Sequence, residues 1–351
     1  MFEQIQTLAC TYGFPLSGIA SIPPTGEAPD AKRFSKWLAA GHAGPLDYVT
    51  EQAATRQNLN SRYPWAKSIL CLGAFYDGSE SGTPGKDLVA HVARYARGRD
   101  YHKIFEKRLK RLQDALLAEK LCSRARYYVD TGPILERSWS QKAGLGWTGK
   151  NTCLIHPRLG SFFLLAELLL DTDCPPTPSA TNHCGTCTRC LEACPTGALV
   201  EPGVLDARKC ISTWTLEQKG QVDAELWPQH AGWAAGCDIC QSVCPYNSPG
   251  RMAEPDPELA EPLPWAKLTL AEAMVLTQES FDQNFPASAL RRTGWKGIRL
   301  GAITAAGSLL KAPAAEVIVE LQSALRRCAQ DADMDIQDRA YWALQRLSNL
   351  V

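Results

Sequence analysis

Apolar and polar positions alternate along the first half of the chain with two different periods. From Tyr101 to Leu117, the side chains Tyr101, Phe105, Leu109, Leu112 and Leu116 recur every three or four positions among lysines and arginines. That spacing predicts an amphipathic helix with its apolar stripe against a core. A shorter helix is predicted at Phe34–Ala40. Four compact apolar runs, Ser68–Tyr76, Arg126–Val129, Thr152–Ile155 and Phe162–Leu170, read as buried strands. Interleaved with helices, they predict an α+β or mixed α/β domain over residues 1–173.

The clustered prolines of Cys174-Pro-Pro-Thr-Pro-Ser end that pattern, because proline continues neither a helix interior nor a central strand. A cysteine-rich module follows over residues 174–247. A Pro/Glu-rich connector, Ser248–Pro264, opens a mostly helical tail that runs over residues 248–351. Within it, Gly301–Leu310 and Asp338–Leu347 carry small and apolar residues at helical spacing, and Arg339-Ala-Tyr-Trp-Ala-Leu resembles a HEAT-like repeat. Such a repeat offers an extended surface to a partner. A simple helical cap on the first domain is the alternative.

With 351 residues, 45% of them hydrophobic, the chain can bury more than one core. Lys plus Arg equals Asp plus Glu at 37 each, so no overall field attracts a polyanion and any such site must be a local patch. The first residues lack the basic start and long apolar stretch of a secretory signal. The best apolar run, Phe162–Leu170, is interrupted by Glu167 and is too short to span a bilayer. A cytoplasmic protein without a membrane span is expected. There, fourteen cysteines point to metal ligation and not to disulfides, since cytosolic thiols are kept reduced.

Eight of those cysteines fall between Cys184 and Cys244. Cys184-x2-Cys187-x2-Cys190-x3-Cys194-Pro195 matches the bacterial ferredoxin run, in which three close thiolates hold one cubane and the fourth ligates another. Cys237-x2-Cys240-x3-Cys244-Pro245 is a second run one ligand short, and Cys210 supplies it. The expectation is two [4Fe–4S] clusters, one on Cys184, Cys187, Cys190 and Cys244, the other on Cys194, Cys210, Cys237 and Cys240. Zinc knuckles are the alternative, but zinc sites usually bring two separated pairs and not three cysteines at equal steps. Cys10, Cys71, Cys122, Cys153, Cys174 and Cys328 are scattered and read as buried small hydrophobes.

Clusters so close in sequence form an electron wire, and the long flanks of the module leave room for an active site that uses it. Tyr127-Tyr128-Val129-Asp130-Thr131-Gly132-Pro133 places an acid at a strand end, where α/β domains bind ligands. From spacing alone, Asp130 as a cap of the following turn is the favoured reading, and Asp130 as a proton donor the sharper one. Gly144, Gly146 and Gly149 form a glycine-rich loop that precedes a strand and fails the spacing of a phosphate-binding P-loop. The run Lys107–Arg111 reads as a solvated helix face. Arg291, Arg292, Lys296 and Arg299, interleaved with Trp295, are candidate phosphate contacts. The six histidines show no metal spacing, and His183 reads as a loop residue.

Taken in order, Val129-Asp-Thr-Gly-Pro-Ile-Leu-Glu-Arg137, Lys142-Ala-Gly-Leu-Gly-Trp-Thr-Gly-Lys-Asn151, the Cys184–Pro195 run, Cys210-Ile-Ser and Gly236-Cys-Asp-Ile-Cys-Gln-Ser-Val-Cys-Pro-Tyr-Asn247 resemble the epoxyqueuosine reductases, nearly end to end. The resemblance implies a cobalamin-binding α/β domain of the kind found in reductive dehalogenases, a ferredoxin-like module and a helical tail. It implies reduction of epoxyqueuosine at the tRNA wobble position to queuosine, with Asp130 as proton donor. For that role the carboxyl has to be protonated at neutral pH, so a site that raises its pKa is expected. Arg56, Lys150, Asn151, Ser161 and Ser212 are the implied cobalamin contacts, and Lys219 joins the basic tail residues as candidate tRNA contacts. A monomer served by a flavodoxin or ferredoxin is expected. The rival readings are a reductive dehalogenase, which would release halide, and a ferredoxin-like carrier, which would bind no corrinoid.

Overall fold

The computed structural model describes residues 1–349 except 77, 80, 81, 84, 249, 252 and 261–263. Six strands lie in the first part of the chain: β1 (Leu16–Ser21), β2 (Ser68–Phe75), β3 (Ala125–Tyr128), β4 (Trp147–Thr148), β5 (Leu154–Ile155) and β6 (Phe163–Leu170). Four of them form one antiparallel sheet in the order β1-β2-β6-β3, with Ser68 opposite Leu170 and Tyr128 opposite Glu167. Every residue of β2 is buried. Covered on both faces, this strand carries a continuous apolar run where a half-solvated antiparallel strand would alternate.

Successive side chains point to opposite faces, and β2 feeds two cores accordingly. Leu70, Leu72 and Ala74 pack with the helices Phe2–Thr11 and Tyr101–Ala118, while Ile69, Cys71 and Phe75 pack with Trp139 of the helix Glu136–Lys142. The predicted stripe Tyr101, Phe105, Leu109, Leu112 and Leu116 is wholly buried. The helix begins at Asp100, whose carboxylate accepts the His102 N–H at 3.1 Å as an N-cap. The helix Phe2–Thr11 and strand β1 were not anticipated, because their apolar residues are too few to fix a period. Of the six scattered cysteines, Cys71, Cys122, Cys174 and Cys328 are buried and Cys10 is exposed.

The cysteine module is built from short pieces, among them the helices Arg189–Ala193 and Ile239–Ser242 and the hairpin β7 (Leu199–Glu201) with β8 (Val204–Leu205). Of the connector Ser248–Pro264, residues 249, 252 and 261–263 lie outside the described residues. Its remainder is strapped to the first core. Arg108 bridges Asp256 and Glu258 at 2.6 Å each, and Leu259 is buried there. Arg108 therefore departs from the solvated face predicted for Lys107–Arg111.

The tail folds as helices Leu270–Met274, Gln278–Asn284, Gly294–Gly307, Ala315–Cys328 and Met334–Ser348 around a third core. That core also takes in Leu88, Val89, Val92 and Ala96 from far upstream and Ala234 and Ala235 from the cysteine module. Gly301 allows the close approach, since a Cβ there would lie 2.1 Å from the Ala234 carbonyl oxygen.

Candidate active site: two thiol tetrads beside an acid–base cleft

All fourteen cysteines are free thiols, and the eight of the motif fall into two neighbourhoods. Cys190 interacts electrostatically with Cys184 and Cys187, and Cys244 with Cys184 and Cys190. Cys237 interacts with Cys210 and Cys194, and Cys240 with Cys237 and Cys210. Backbone N–H groups are directed at the sulfurs: those of Thr196, Ala198 and Leu199 at Cys194, those of Ser212 and Thr213 at Cys210, and that of Tyr246 at Cys244. Burial raises the thiols of Cys190, Cys210, Cys237 and Cys244, and the backbone donors work against it, prevailing at Cys194, towards the thiolate an iron–sulfur cluster requires. The donor set, four soft sulfurs in each neighbourhood with amide support, fits two cubanes. Among the described residues no group of three or more His, Cys, Asp or Glu side chains closes to hold a single metal ion.

The glycine-rich loop of residues 144–151 covers this module. Lys150 Nζ donates to the carbonyls of Gly185 and Cys187 at 2.8 and 2.9 Å, Asn151 Nδ2 donates to Cys240 O at 3.1 Å, and Trp147 Nε1 approaches Cys184 Sγ at 3.4 Å. Gly146 is required where a Cβ would meet the Ile155 carbonyl oxygen at 2.3 Å. The loop, which fails P-loop spacing in the sequence, thus engages the cysteine module. His183 sits edge-on to Trp147 with ring centroids 5.0 Å apart.

A cleft of about 300 Å³ opens next to the module. Cys153 and Gln241 line one side, and Cys153 hydrogen-bonds Cys240. Asp130, His102, Arg137, Glu217 and Arg292 supply the charged lining, and Tyr48, Tyr95, Phe163 and Leu216 are among its aromatic and apolar walls. Asp130 follows β3 with φ of 53°, in the left-handed region that costs a non-glycine residue energy, and a tight turn from Thr131 N–H to Val129 O fixes it. His102 Nε2 lies 3.2 Å from Asp130 Oδ2, and His102 Nδ1 lies 2.8 Å from Asp100 Oδ1. Arg292 Nη1 is 3.9 Å from Asp130 Oδ2, and its Nη2 pairs with Glu217.

These charges overturn the expectation of a raised Asp130 pKa. Burial pushes the carboxyl up, but the His102 hydrogen bond and charge, together with Arg292 and Arg56, outweigh it and hold Asp130 below the usual carboxylate range. Burial alone would lower His102, yet its two aspartate partners raise it to about 9. At neutral pH the proton of this pair therefore resides on the imidazole. Nearby, burial and the Asp130 charge raise Glu136 to about 8, and burial and the neighbouring Glu136 raise Glu167. Glu167 is fully buried on β6 beside Glu136.

Of the implied cobalamin contacts, Ser161 lines the cleft, where its Oγ accepts from Gln241 and Asn247. Arg56 is buried, donates to Ile134 O at 2.8 Å and leaves Nε and Nη2 unpartnered. Lys150 and Asn151 serve the cysteine module, and Ser212 offers its N–H to Cys210. Among the basic tail residues, Arg292 turns into the cleft, Arg291 pairs with Asp282, and Lys296 pairs with Asp333 and Asp335. Arg299 is buried, donating to Met274 O and Asp331, so it is a core strut and not a surface contact. Lys219 is exposed. His102, Cys153 and Glu217 were missed from sequence. The one signal for His102 is an aspartate two positions ahead of it at a helix start.

Two thiol tetrads beside a cleft with a paired acid and base define an iron–sulfur oxidoreductase. Residues 183–247 match a family model described as a 4Fe-4S double cluster binding domain, and residues 56–131 match one described as Epoxyqueuosine reductase QueG, DUF1730. The chain is 40% identical over 312 residues to the epoxyqueuosine reductase of Gloeobacter violaceus, covering 87% of this chain and 95% of that protein. It is 36% identical over 351 residues to that of Xanthomonas campestris pv. campestris, covering 97% and 94%. Among solved structures, an epoxyqueuosine reductase crystallised with a tRNA-Tyr epoxyqueuosine-modified stem loop matches at TM-score 0.77 and 26% identity, over 99% of this chain and 98% of that one. The enzyme from Streptococcus thermophilus matches at TM-score 0.79 and 26% identity, over 99% and 90%. The chain belongs to the epoxyqueuosine reductase family, and two [4Fe–4S] clusters are its cofactors.

Proposed function

We propose that this chain reduces epoxyqueuosine in the anticodon of tRNA to queuosine, using cobalamin seated in the cleft. One observation carries the reading: the same cleft is lined by Cys153 and Gln241, next to Cys240, and by Asp130 with His102. Electron supply and proton supply thus meet across one space. Its aromatic and apolar walls would take a flat face of the macrocycle, with the charged groups gathered at Asp130, His102, Arg137, Glu217 and Arg292. When bound, the clusters supply electrons singly and the corrinoid supplies a metal centre able to use them in pairs.

The chain's own residues do the rest. The Cys184, Cys187, Cys190 and Cys244 thiolates hold one cluster and those of Cys194, Cys210, Cys237 and Cys240 the other. With cobalamin bound, Ser161 would contact it from the cleft wall, and Arg56, Lys150, Asn151 and Ser212 would brace that wall. Asp130 meets the epoxide oxygen and protonates it as charge develops there. The proton it needs rests on His102 beforehand.

The wider reading places the enzyme in the cytoplasm as a monomer fed by a flavodoxin or ferredoxin, and divides it at residues 173 and 247. The tail serves as a HEAT-like surface for tRNA, with Lys219, Arg291 and Arg292 as its cationic contacts. No helix among the described residues is long and apolar enough to cross a membrane. The test is an anaerobic preparation assayed for iron, sulfide and cobalt and then given epoxyqueuosine-containing tRNA and a strong reductant. Loss of one oxygen from the modified nucleoside is expected. Unchanged nucleoside from fully loaded protein would refute the reading.

A further inference from the structure

Converting an epoxide to an alkene and water consumes two electrons and two protons, and both protons end on the same oxygen. Asp130 carries at most one. A single carboxyl positioned at that oxygen must therefore be reloaded within each turnover, and the surroundings of Asp130 contain the means.

We propose that Asp100 and His102 form a relay that reloads Asp130, so that both protons reach the substrate oxygen through one carboxyl. The inference rests on the epoxide-reductase reading and deepens it. Its geometry is a continuous line of hydrogen bonds, Asp100 Oδ1 to His102 Nδ1 at 2.8 Å and His102 Nε2 to Asp130 Oδ2 at 3.2 Å. Water reaches the ring itself, the His102 side chain being 28% exposed. The inner end lines the cleft. Stacking on Tyr101, with ring centroids 4.0 Å apart, holds the imidazole in the plane that serves both partners.

The balance is simple. Asp130, a carboxylate at rest, takes the Nε2 proton of His102 and passes it to the oxygen; the ring, left neutral with its Nδ1 proton on Asp100, takes the second proton at Nε2 from water in the cleft and hands it on in the same way. No electron moves in these steps, since the reductant of the main reaction supplies both. The charged groups around the relay are Asp100 and Lys103 on its outer side and Asp130, Arg292, Arg56, Glu136 and Glu217 around its inner end, with Tyr48, Tyr95 and Tyr101 as neutral neighbours. Two carboxylates touch the ring directly and the cations lie behind them, so a protonated resting imidazole follows from the placement.

Asp100 and His102 are positioning residues here, acting through Asp130, and the test must separate that role from a structural one. In the enzyme loaded with clusters and cobalamin, Asp100→Asn keeps the N-cap and removes only the charge. The alkaline limb of the kcat profile is expected to move down by about one pH unit, with KM for tRNA unchanged. His102→Gln keeps hydrogen bonding at both ends and is expected to lower kcat about 10- to 100-fold at constant KM. In protein with 15N-labelled histidine, the His102 titration should move to lower pH in Asp100→Asn, a readout independent of turnover. An unmoved alkaline limb in Asp100→Asn, or His102→Gln within twofold of wild-type kcat, overturns the relay. If Asp130→Asn turns over normally, the parent reading of Asp130 fails and the relay with it. An inactive Asp130→Asn beside an unshifted Asp100→Asn sinks the relay alone.

Discussion

At Asp130 and His102 one hydrogen bond joins function to stability. A histidine whose folded pKa is raised contributes stability that is fully present below its unfolded pKa, about 6.5, and that is lost as the pH rises through about 9. Asp130, held below the usual range, contributes stability above its unfolded pKa that is lost as the pH falls through its depressed folded value. Asp130→Asn should abolish turnover while keeping the full iron content. It should also weaken the alkaline loss, because one of the two carboxylates holding the His102 proton is gone. The melting temperature of the variant is therefore expected to fall less between pH 7 and 10 than that of the wild type, as read by thermal denaturation followed by circular dichroism. A wild-type slope would separate Asp130 from the proton on His102.

Among the elements, the helix Gly294–Gly307 decides how the tail meets the rest of the chain. Eleven of its residues are buried, Gly297 to Gly307 without a break, which makes it the centre of the third core. Its glycines are contact points: Gly301 lies under the Ala234 carbonyl, and Gly307 lies against Trp342 and Ala343. Gly301→Ala would gain helix propensity of about 1 kcal/mol in isolation. Here the added methyl meets backbone, so a net loss of about 1–3 kcal/mol is expected in urea unfolding. The displaced segment leads directly through Gly236 to Cys237, so the variant should also lose iron faster to a chelator than the wild type. A neutral or stabilising result would mean that the two backbones separate at no cost.

On the scale of the whole molecule, the two thiol neighbourhoods cross the chain, each bringing together thiols from both runs. Cys190→Ala and Cys194→Ala stand only four positions apart, yet they should disable different clusters, each about halving the iron bound. Electron paramagnetic resonance of the reduced proteins should then show one remaining signal, different in the two variants, and identical spectra would undo the allocation. Cys153→Ala should keep both clusters. Local pattern sufficed for the thiolate runs and for the stripe from Tyr101 to Leu116, because ligand spacing and helical period are properties of neighbours in sequence. The Asp130 segment was legible only through its resemblance, its spacing alone favouring a turn cap. The pairing of His102 with Asp130, the turn of Arg292 into the cleft, the burial of Arg299 and the contact of Cys153 with Cys240 join segments from separate parts of the chain. No periodicity encodes them, for they depend on how the sheet, the cysteine module and the helical tail pack. That packing also set the protonation of Asp130, since a pKa answers to the charges that folding brings near and not to the residues beside it in the chain.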